Sequence, residues 1–377
     1  MTPPRILIVN PFGIGDVLFT TPLVRAIRRA FPESYVGYLC NRRTEQILRE
    51  NPNLDELFVY EKDELVELWR TSRRQGFRYL ARLLWRVYRQ KFNLAIDVSL
   101  GERYSFFLSA FGVPRRVGFD YRNRGRFLTE RLPIDGYHDD HVVEYYRYLL
   151  WWLGIVLMDP ALELHVSDED DHWADQWLAA SCVDQSRRLV GLVPAGGVSW
   201  GVDAPFRRWS FGGFAAVADA LAERYDAQVI LFGEAADRTV CQTVARLMKH
   251  PTIDLSGQTT LGQFISLMGR LSLIVCNDGG PLHLAVSQHV KTVSIFGPVD
   301  PSVYGPYAPM QSHHRVVYRQ HLPCRPCYHQ FKLPPCPYER ACLTTIEPEE
   351  VIEACEALLA VRHGVVSGVI GEPRTTG

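Results

Sequence analysis

The chain has 377 residues, more than one compact hydrophobic core usually takes, so two domains are expected. Its 41 basic and 42 acidic residues leave a net charge of −1, which gives no argument for wholesale nucleic-acid binding. The composition is that of a globular protein, and no run approaches the ~20 apolar residues of a membrane span.

The chain enters through Met1–Arg5 and passes straight into the apolar run Ile6–Val9. That run is too short for a signal-peptide core, so a cytoplasmic location is expected. Arg5–Val9 reads as a strand. Asn10–Asp16 is a glycine-containing turn, and Val17–Phe31 has helical spacing through Leu18, Leu23, Ile27 and Phe31. Asp16 therefore lies at the carboxyl end of the first strand, where open α/β sheets bind ligands. It is read either as a carboxylate that complements the helix dipole or as one pointed into a cleft.

Val36–Leu39, Leu57–Tyr60 and Leu94–Val98 continue the strand–helix alternation. Between the last two, Arg70, Arg74, Arg78, Arg82 and Arg86 recur every fourth residue, and no acid occurs from Arg70 to Lys91. Like charges at this spacing destabilise an isolated helix, so the row is read as facing an anion or as a solvated face. Ser99–Arg103 sits at another carboxyl edge, with Arg103 able to hold an anionic ligand or pair with an acid. Arg116–Phe119 is a further strand. His138-Asp139-Asp140-His141 opens a helix running to Leu153 and is read as capping rather than metal binding.

Asp168–Cys182 reads as a helix, and the interdomain linker is placed between Met158 and Arg188. The first domain is taken as 1–165 and the second as 186–362. The second series runs through strands Leu189–Pro194, Gln228–Phe232 and Ile253–Leu255 and helices Phe214–Tyr225 and Leu261–Arg270. It reaches Leu273–Cys276, Asn277-Asp278-Gly279-Gly280-Pro281 and the strand Lys291–Phe296. Gly279 and Gly280, at a helix start with Pro281 in the first turn, form a ready anion site suited to a diphosphate. The alternative is an ordinary tight turn capped by Asp278. Two Rossmann-like α/β halves facing one cleft are expected, with a mobile tail from Gly364 to Gly377.

Ile6–Val9 with Gly13-Ile14-Gly15-Asp16-Val17-Leu18 and Thr21-Pro22 resembles the opening of the heptosyltransferases of glycosyltransferase family 9. Cys276–Ala285 resembles their donor-binding signature, Phe296–Pro301 the segment after it, and Leu94–Asp97 and Arg116–Phe119 weaker family patterns. The likeness spans roughly Arg5 to Ala360. It implies a GT-B fold, a nucleotide-sugar donor and inversion at the anomeric carbon without a catalytic metal. Carried over, Asp16 matches the general base, and Asp278, Gly279, Gly280 and His283 match the donor site. Arg207 stands where the family usually has a phosphate-binding Lys, and Arg is not a neutral replacement for it. Gly15 and Arg103 fall on the acceptor side. His283 is read as a phosphate partner or as a buried structural histidine.

The resemblance implies transfer of a sugar, heptose from ADP-heptose, to a lipopolysaccharide-core-like or other envelope acceptor, lipid-linked or saccharide. Peripheral contact with the inner face of an anionic membrane is expected, with no nucleic-acid partner. The alternatives are a GT-B relative that is an epimerase or hydrolase, and a nucleotide-binding module that docks on membrane. Near the carboxyl end, Cys324, Cys327, Cys336 and Cys342 cluster in a proline-rich stretch. In a cytoplasmic protein such a cluster suits structural zinc or free thiols better than disulfides. Cys40, Cys182, Cys241, Cys276 and Cys355 are scattered and read as small core residues.

Overall fold

The computed structural model of the chain describes residues 3–181, 183–196, 198–307 and 311–360. Cys182, Gly197 and the tail from Gly364 to Gly377 lie outside these residues. Strands β1 (Arg5–Val9), β2 (Tyr35–Cys40), β3 (Glu56–Val59), β4 (Leu94–Asp97), β5 (Arg115–Tyr121) and β6 (Glu130–Ile134) form one sheet in the order β3-β2-β1-β4-β5-β6. Strands β7 (Arg188–Val193), β8 (Ala227–Leu231), β9 (Thr252–Asp254), β10 (Leu273–Asn277), β11 (Thr292–Phe296) and β12 (His314–Tyr318) form the second, in the order β12-β11-β10-β7-β8-β9. Every pairing is parallel. Numbered within its own half, each sheet has the doubly wound Rossmann order, and the two-half α/β expectation holds.

The central strands are apolar runs because helices cover both faces of such a sheet. Ile6, Leu7 and Ile8 are fully buried, as are Leu273, Ile274 and Val275. In each sheet the strand order reverses between the first and fourth strands, where Val9 pairs with Asp97 and Val193 with Cys276. Loops diverge from these two switch points and leave a crevice for ligands.

The helix expected over Val17–Phe31 is instead two, Ile14–Phe19 and Thr21–Ala30, joined at Thr20. Pro22 has no N–H to give to Leu18, and the Thr21 hydroxyl takes that carbonyl at 2.7 Å. The arginine row is also divided. Lys62–Thr71 and Arg73–Arg89 are separate helices broken at Ser72, whose backbone is extended and whose side chain accepts from the Gln75 N–H. They pack as a hairpin because Gly76 lets the Trp69 ring approach; a Cβ there would lie 3.0 Å from it.

The segment placed as a linker contains the helix Asp168–Ala180, docked on the second half. Arg270 holds it through Asp171 at 2.7 Å and Asp175 at 2.9 Å. The halves also meet directly, since the Ile14–Phe19 helix packs on the Gly280–Ser287 helix.

Candidate active site

Asp16 stands in the first helix after β1, at the switch point of the first half. Its Oδ2 accepts the Gly13 N–H at 3.1 Å, and its backbone carbonyl accepts from Asn10 Nδ2 at 3.0 Å. The capping reading is therefore correct for one oxygen. The Asp16 backbone N–H gives the same carboxylate a second hydrogen bond. Asp16 lies between the two halves, and burial pushes its carboxyl up to about 6, opposed by the Gly13 N–H and more weakly by Arg207. Burial first, and the Asp16 charge among the further causes, raise Tyr137 and Tyr146 of the first half and Tyr304 and Tyr328 of the second.

Asp97, at the end of β4 beside β1, is a second buried carboxylate pushed up to about 6 by burial, with the Ser99 N–H on Oδ1 at 2.9 Å. Sequence reading quoted Asp97 only within a family pattern. Its register opposite Val9, which brings it to the Asp16 loop, could not be read from spacing.

In the second half Asp278 does not cap its helix. Gly279 is the N-cap, without a side-chain bond, and Asp278 forms a buried ion pair with Arg207. Burial raises the Asp278 carboxyl and the Arg207 guanidinium opposes that rise. Arg207, expected to hold phosphate, and the signature aspartate are thus one unit, which places the positive fork beside the glycine turn. Gly279 has φ 154°, a conformation that favours glycine, and a Cβ there would meet only Pro281 Cδ at 4.0 Å. Pro281 occupies the first helical turn as expected.

Asn277, another residue given no role from sequence, ties three loops together. Its amide donates to Pro194 O at 2.9 Å and Ala195 O at 3.2 Å, and its Oδ1 accepts the Trp209 N–H at 2.9 Å. It fixes the position of the chain that carries Arg207.

His283 is buried with its ring edge-on to Phe19, centroids 4.5 Å apart. Burial pulls its pKa down to about 3, so the imidazole is neutral, and Nδ1 is buried without a hydrogen-bond partner. Gly15 lies against this ring; a Cβ on it would come 2.7 Å from His283 Cδ2. Gly15 therefore serves the packing of the two halves. His141 caps the Val142–Trp152 helix, its Nδ1 accepting the Val143 N–H, while Nε2 faces Gly305 O at 3.1 Å across the halves. This fixes the Nε2–H tautomer; the capping reading of the His138–His141 stretch holds at His141, while Asp139 and Asp140 precede the helix, whose first-turn acid is Glu144.

Arg103 is exposed on a separate cavity of about 500 Å³, lined by Tyr60, Lys62, Trp69, Arg70 and Arg73 among others. Four cations share this basin at the carboxyl edge of the first sheet. Outside it, Phe77, Trp85 and Tyr88 are exposed beside the arginines of the hairpin. Arg86 is instead engaged with Glu56 at 2.6 Å, and Arg89 stacks on Trp85 at 4.6 Å.

A family model for glycosyltransferase family 9 (heptosyltransferase) matches residues 80–333. The lipopolysaccharide heptosyltransferase 2 of Escherichia coli K12 is 25% identical over 370 residues, covering 94% of this chain and 98% of that protein. The crystal structure of a family 9 glycosyl transferase from Veillonella parvula superposes with a TM-score of 0.79 at 26% identity, covering 96% and 98% of the two chains. The E. coli ADP-heptose lipopolysaccharide heptosyltransferase II superposes with a TM-score of 0.72 at 22% identity, covering 94% and 98%. The fold shared with these structures is the expected GT-B arrangement.

Proposed function

From a chain that belongs to glycosyltransferase family 9, we infer an inverting transfer of heptose from ADP-heptose to an anionic acceptor of the lipopolysaccharide-core kind. The observation that carries this reading is the pairing across the cleft. A carboxylate with a pKa near 6 projects from one switch point, and a buried arginine with a glycine turn occupies the other.

An acceptor hydroxyl is a poor nucleophile at neutral pH and needs a base within hydrogen-bond reach. Asp16 supplies one, its Oδ2 held in place by the Gly13 N–H. At pH 7 a group titrating near 6 is mostly ionised, yet it is a stronger base than an ordinary aspartate. As the glycosidic bond breaks, charge gathers on the leaving diphosphate. The Gly279 and Gly280 amides at the helix start, together with Arg207, stabilise it. Arg207 reaches the donor from its pair with Asp278, so donor binding exchanges one carboxylate partner for a diphosphate.

Lys62, Arg70, Arg73 and Arg103 around one basin suit an acceptor bearing carboxylates or phosphates. The exposed aromatics and arginines of the hairpin suit the surface of an anionic membrane, with the rings at headgroup depth. That arrangement brings a lipid-linked acceptor to the basin.

The decisive experiment is turnover with ADP-heptose and a lipopolysaccharide-core acceptor, comparing wild type with Asp16→Asn. The reading requires nucleoside-diphosphate release coupled to sugar transfer, abolished by the substitution while donor binding persists. Equal turnover in the two proteins refutes the assigned base, and donor binding without transfer to any anionic acceptor refutes the assigned reaction.

A further inference from the structure

Among the described residues, 319–340 form no helix or strand beyond an isolated bridge between His329 and Lys332. A connection of this length without secondary structure is uncommon inside a folded half unless it has a function. This one is closely placed. The Cys327 N–H donates to Pro298 O at 2.9 Å, and Arg325 Nη2 donates to Val299 O at 2.7 Å, which fastens its first part to the second half. At the bridge the His329 N–H donates to Lys332 O at 3.1 Å and the Lys332 N–H to His329 O at 3.0 Å. The chain therefore reverses within two residues.

Those two residues are Gln330 and Phe331, at φ 50° and 60°. A hairpin turn with both central residues left-handed is normally made by Asn-Gly or Asp-Gly, because a Cβ is penalised there. A glutamine and a phenylalanine hold it at a cost, and the contacts that offset the cost come from the first half. The Tyr121 hydroxyl donates to Gln330 O at 2.9 Å, and Arg122 Nη2 donates to Gln330 Oε1 at 2.9 Å. The Phe331 ring meets Tyr121 edge-on at 5.2 Å and Tyr137 at 5.4 Å. Gly136, at φ 141°, lies beneath the turn; a Cβ on it would come 3.4 Å from Gln330 Cα. The receiving loop is built the same way, since Arg122 and Asn123 are left-handed at φ 53° and 59°. Two strained tips thus meet across the halves, the kind of outlier that marks a functional contact.

The turn directly follows Tyr328, whose ring lies 5.8 Å from that of Tyr304. Burial raises the Tyr328 hydroxyl, the charges of Asp16 and Asp278 add to the rise, and Arg207 opposes it. This side chain is in range of charged groups from both halves. We propose that the Gln330–Phe331 turn is a latch: seated on Tyr121 and Tyr137, it holds the halves in register and sets Tyr328 relative to Asp16 and Arg207. Gln330 and Phe331 are positioning residues, which act through that placement and not on the reacting atoms. A turn that owes its conformation to contacts with the other half loses them when the cleft opens, so the latch is reversible. The inference rests on the sugar transfer proposed above and adds to it what keeps the cleft shut during reaction. Donor held by one half and acceptor held by the other react only in register, so loss of the latch lowers turnover and spares nucleotide binding, which the second half supplies alone.

The test is heptosyl transfer from ADP-heptose to a lipopolysaccharide-core acceptor by the full chain, wild type against Phe331→Gly. Glycine suits the left-handed turn and removes the ring, so this variant is expected to fold, which its thermal unfolding checks. Its kcat is expected to fall at least about threefold, within the range of one net hydrogen bond, with nucleoside-diphosphate affinity unchanged. Phe331→Tyr, which keeps the ring, is expected to stay near wild type. Hydrogen exchange of residues 328–333 reads docking without turnover and is expected to be severalfold faster in Tyr121→Phe, a substitution on the opposite half. Tyr121→Phe combined with Phe331→Gly is expected to turn over no slower than the worse single variant, because both break one contact. Wild-type kcat in Phe331→Gly, nucleoside-diphosphate affinity falling in parallel with kcat, or unchanged exchange in Tyr121→Phe would each overturn the latch. A wild-type protein that transfers no heptose overturns the reaction instead, and the exchange comparison then decides the latch by itself.

Discussion

The two halves share one strand order yet equip their switch points oppositely. In the first half, Asp16 on the helix after β1 and Asp97 at the end of β4 are both carboxylates pushed up to about 6 by burial. In the second half, Asp278, directly after β10, is matched at once by Arg207, beside the Gly279–Gly280 turn. The scaffold sets where a ligand sits. Whether the site withdraws a proton or neutralises an anion depends on a few loop residues. The unmatched carboxylates cost stability, as groups kept for chemistry often do.

The largest expected effect breaks the first half's chemistry. Asp16→Asn keeps the Gly13 cap and removes the basicity, so turnover should fall roughly 10²–10⁴-fold with donor binding nearly intact. Steady-state kinetics with a separate nucleotide-binding titration checks this. The second half should fail differently. Arg207→Ala should weaken nucleoside-diphosphate binding by about 1.5–3 kcal/mol, read by calorimetry. It should also lower stability, because Asp278 is left as an uncompensated buried charge. Arg207→Ala with Asp278→Ala should recover stability but not affinity.

The same contrast has a pH signature. Asp16 has its usual 3.8 raised to about 6, so its loss of a proton in the folded state costs up to about 3 kcal/mol relative to the unfolded chain. Its contribution is therefore present at low pH and fades as pH rises between about 4 and 6. Asp16→Asn should flatten that part of the stability profile and leave the protein more stable than wild type at pH 7, measured by urea unfolding. Catalysis should run the other way, with kcat/KM of wild type rising to a plateau above about pH 6.

Gly15→Ala sharpens the comparison where the halves touch. The new methyl would meet the His283 ring, and a loss of about 1–3 kcal/mol is expected from thermal unfolding. The smallest effect concerns the hairpin carried by the first half. Arg74→Gln with Arg78→Gln and Arg82→Gln should reduce sedimentation with anionic vesicles at low salt and leave soluble-acceptor turnover unchanged.

Much of this was legible in the amino-acid sequence because buried parallel strands announce themselves as apolar runs. Ile6–Val9 and Leu273–Cys276 fall within a residue of β1 and β10. β6 escaped because Pro133 and alternating polar residues argue against a central strand, and it is an edge strand where a missing N–H is tolerated. The breaks at Thr20 and Ser72 were hidden within continuous helical periodicity. In the site, the glycine turn and Asp16 could be found from local spacing. The Arg207–Asp278 pair and the Asn277 clamp could not, since they join residues about seventy or eighty positions apart through the pairing of β7 with β10.

The cationic basin has one further consequence. All its lining residues lie between Tyr60 and Arg103, so the first half alone supplies it. Lys62, Arg70 and Arg73 belong to a hairpin that makes no part of the Arg207–Asp278 pair or the Gly279 turn. With the acceptor role proposed for the basin, acceptor preference becomes a separable trait: drift in this hairpin would redirect the enzyme to a differently decorated glycan while its donor stays fixed, and a lineage could diversify its surface sugars by replacing about forty contiguous residues.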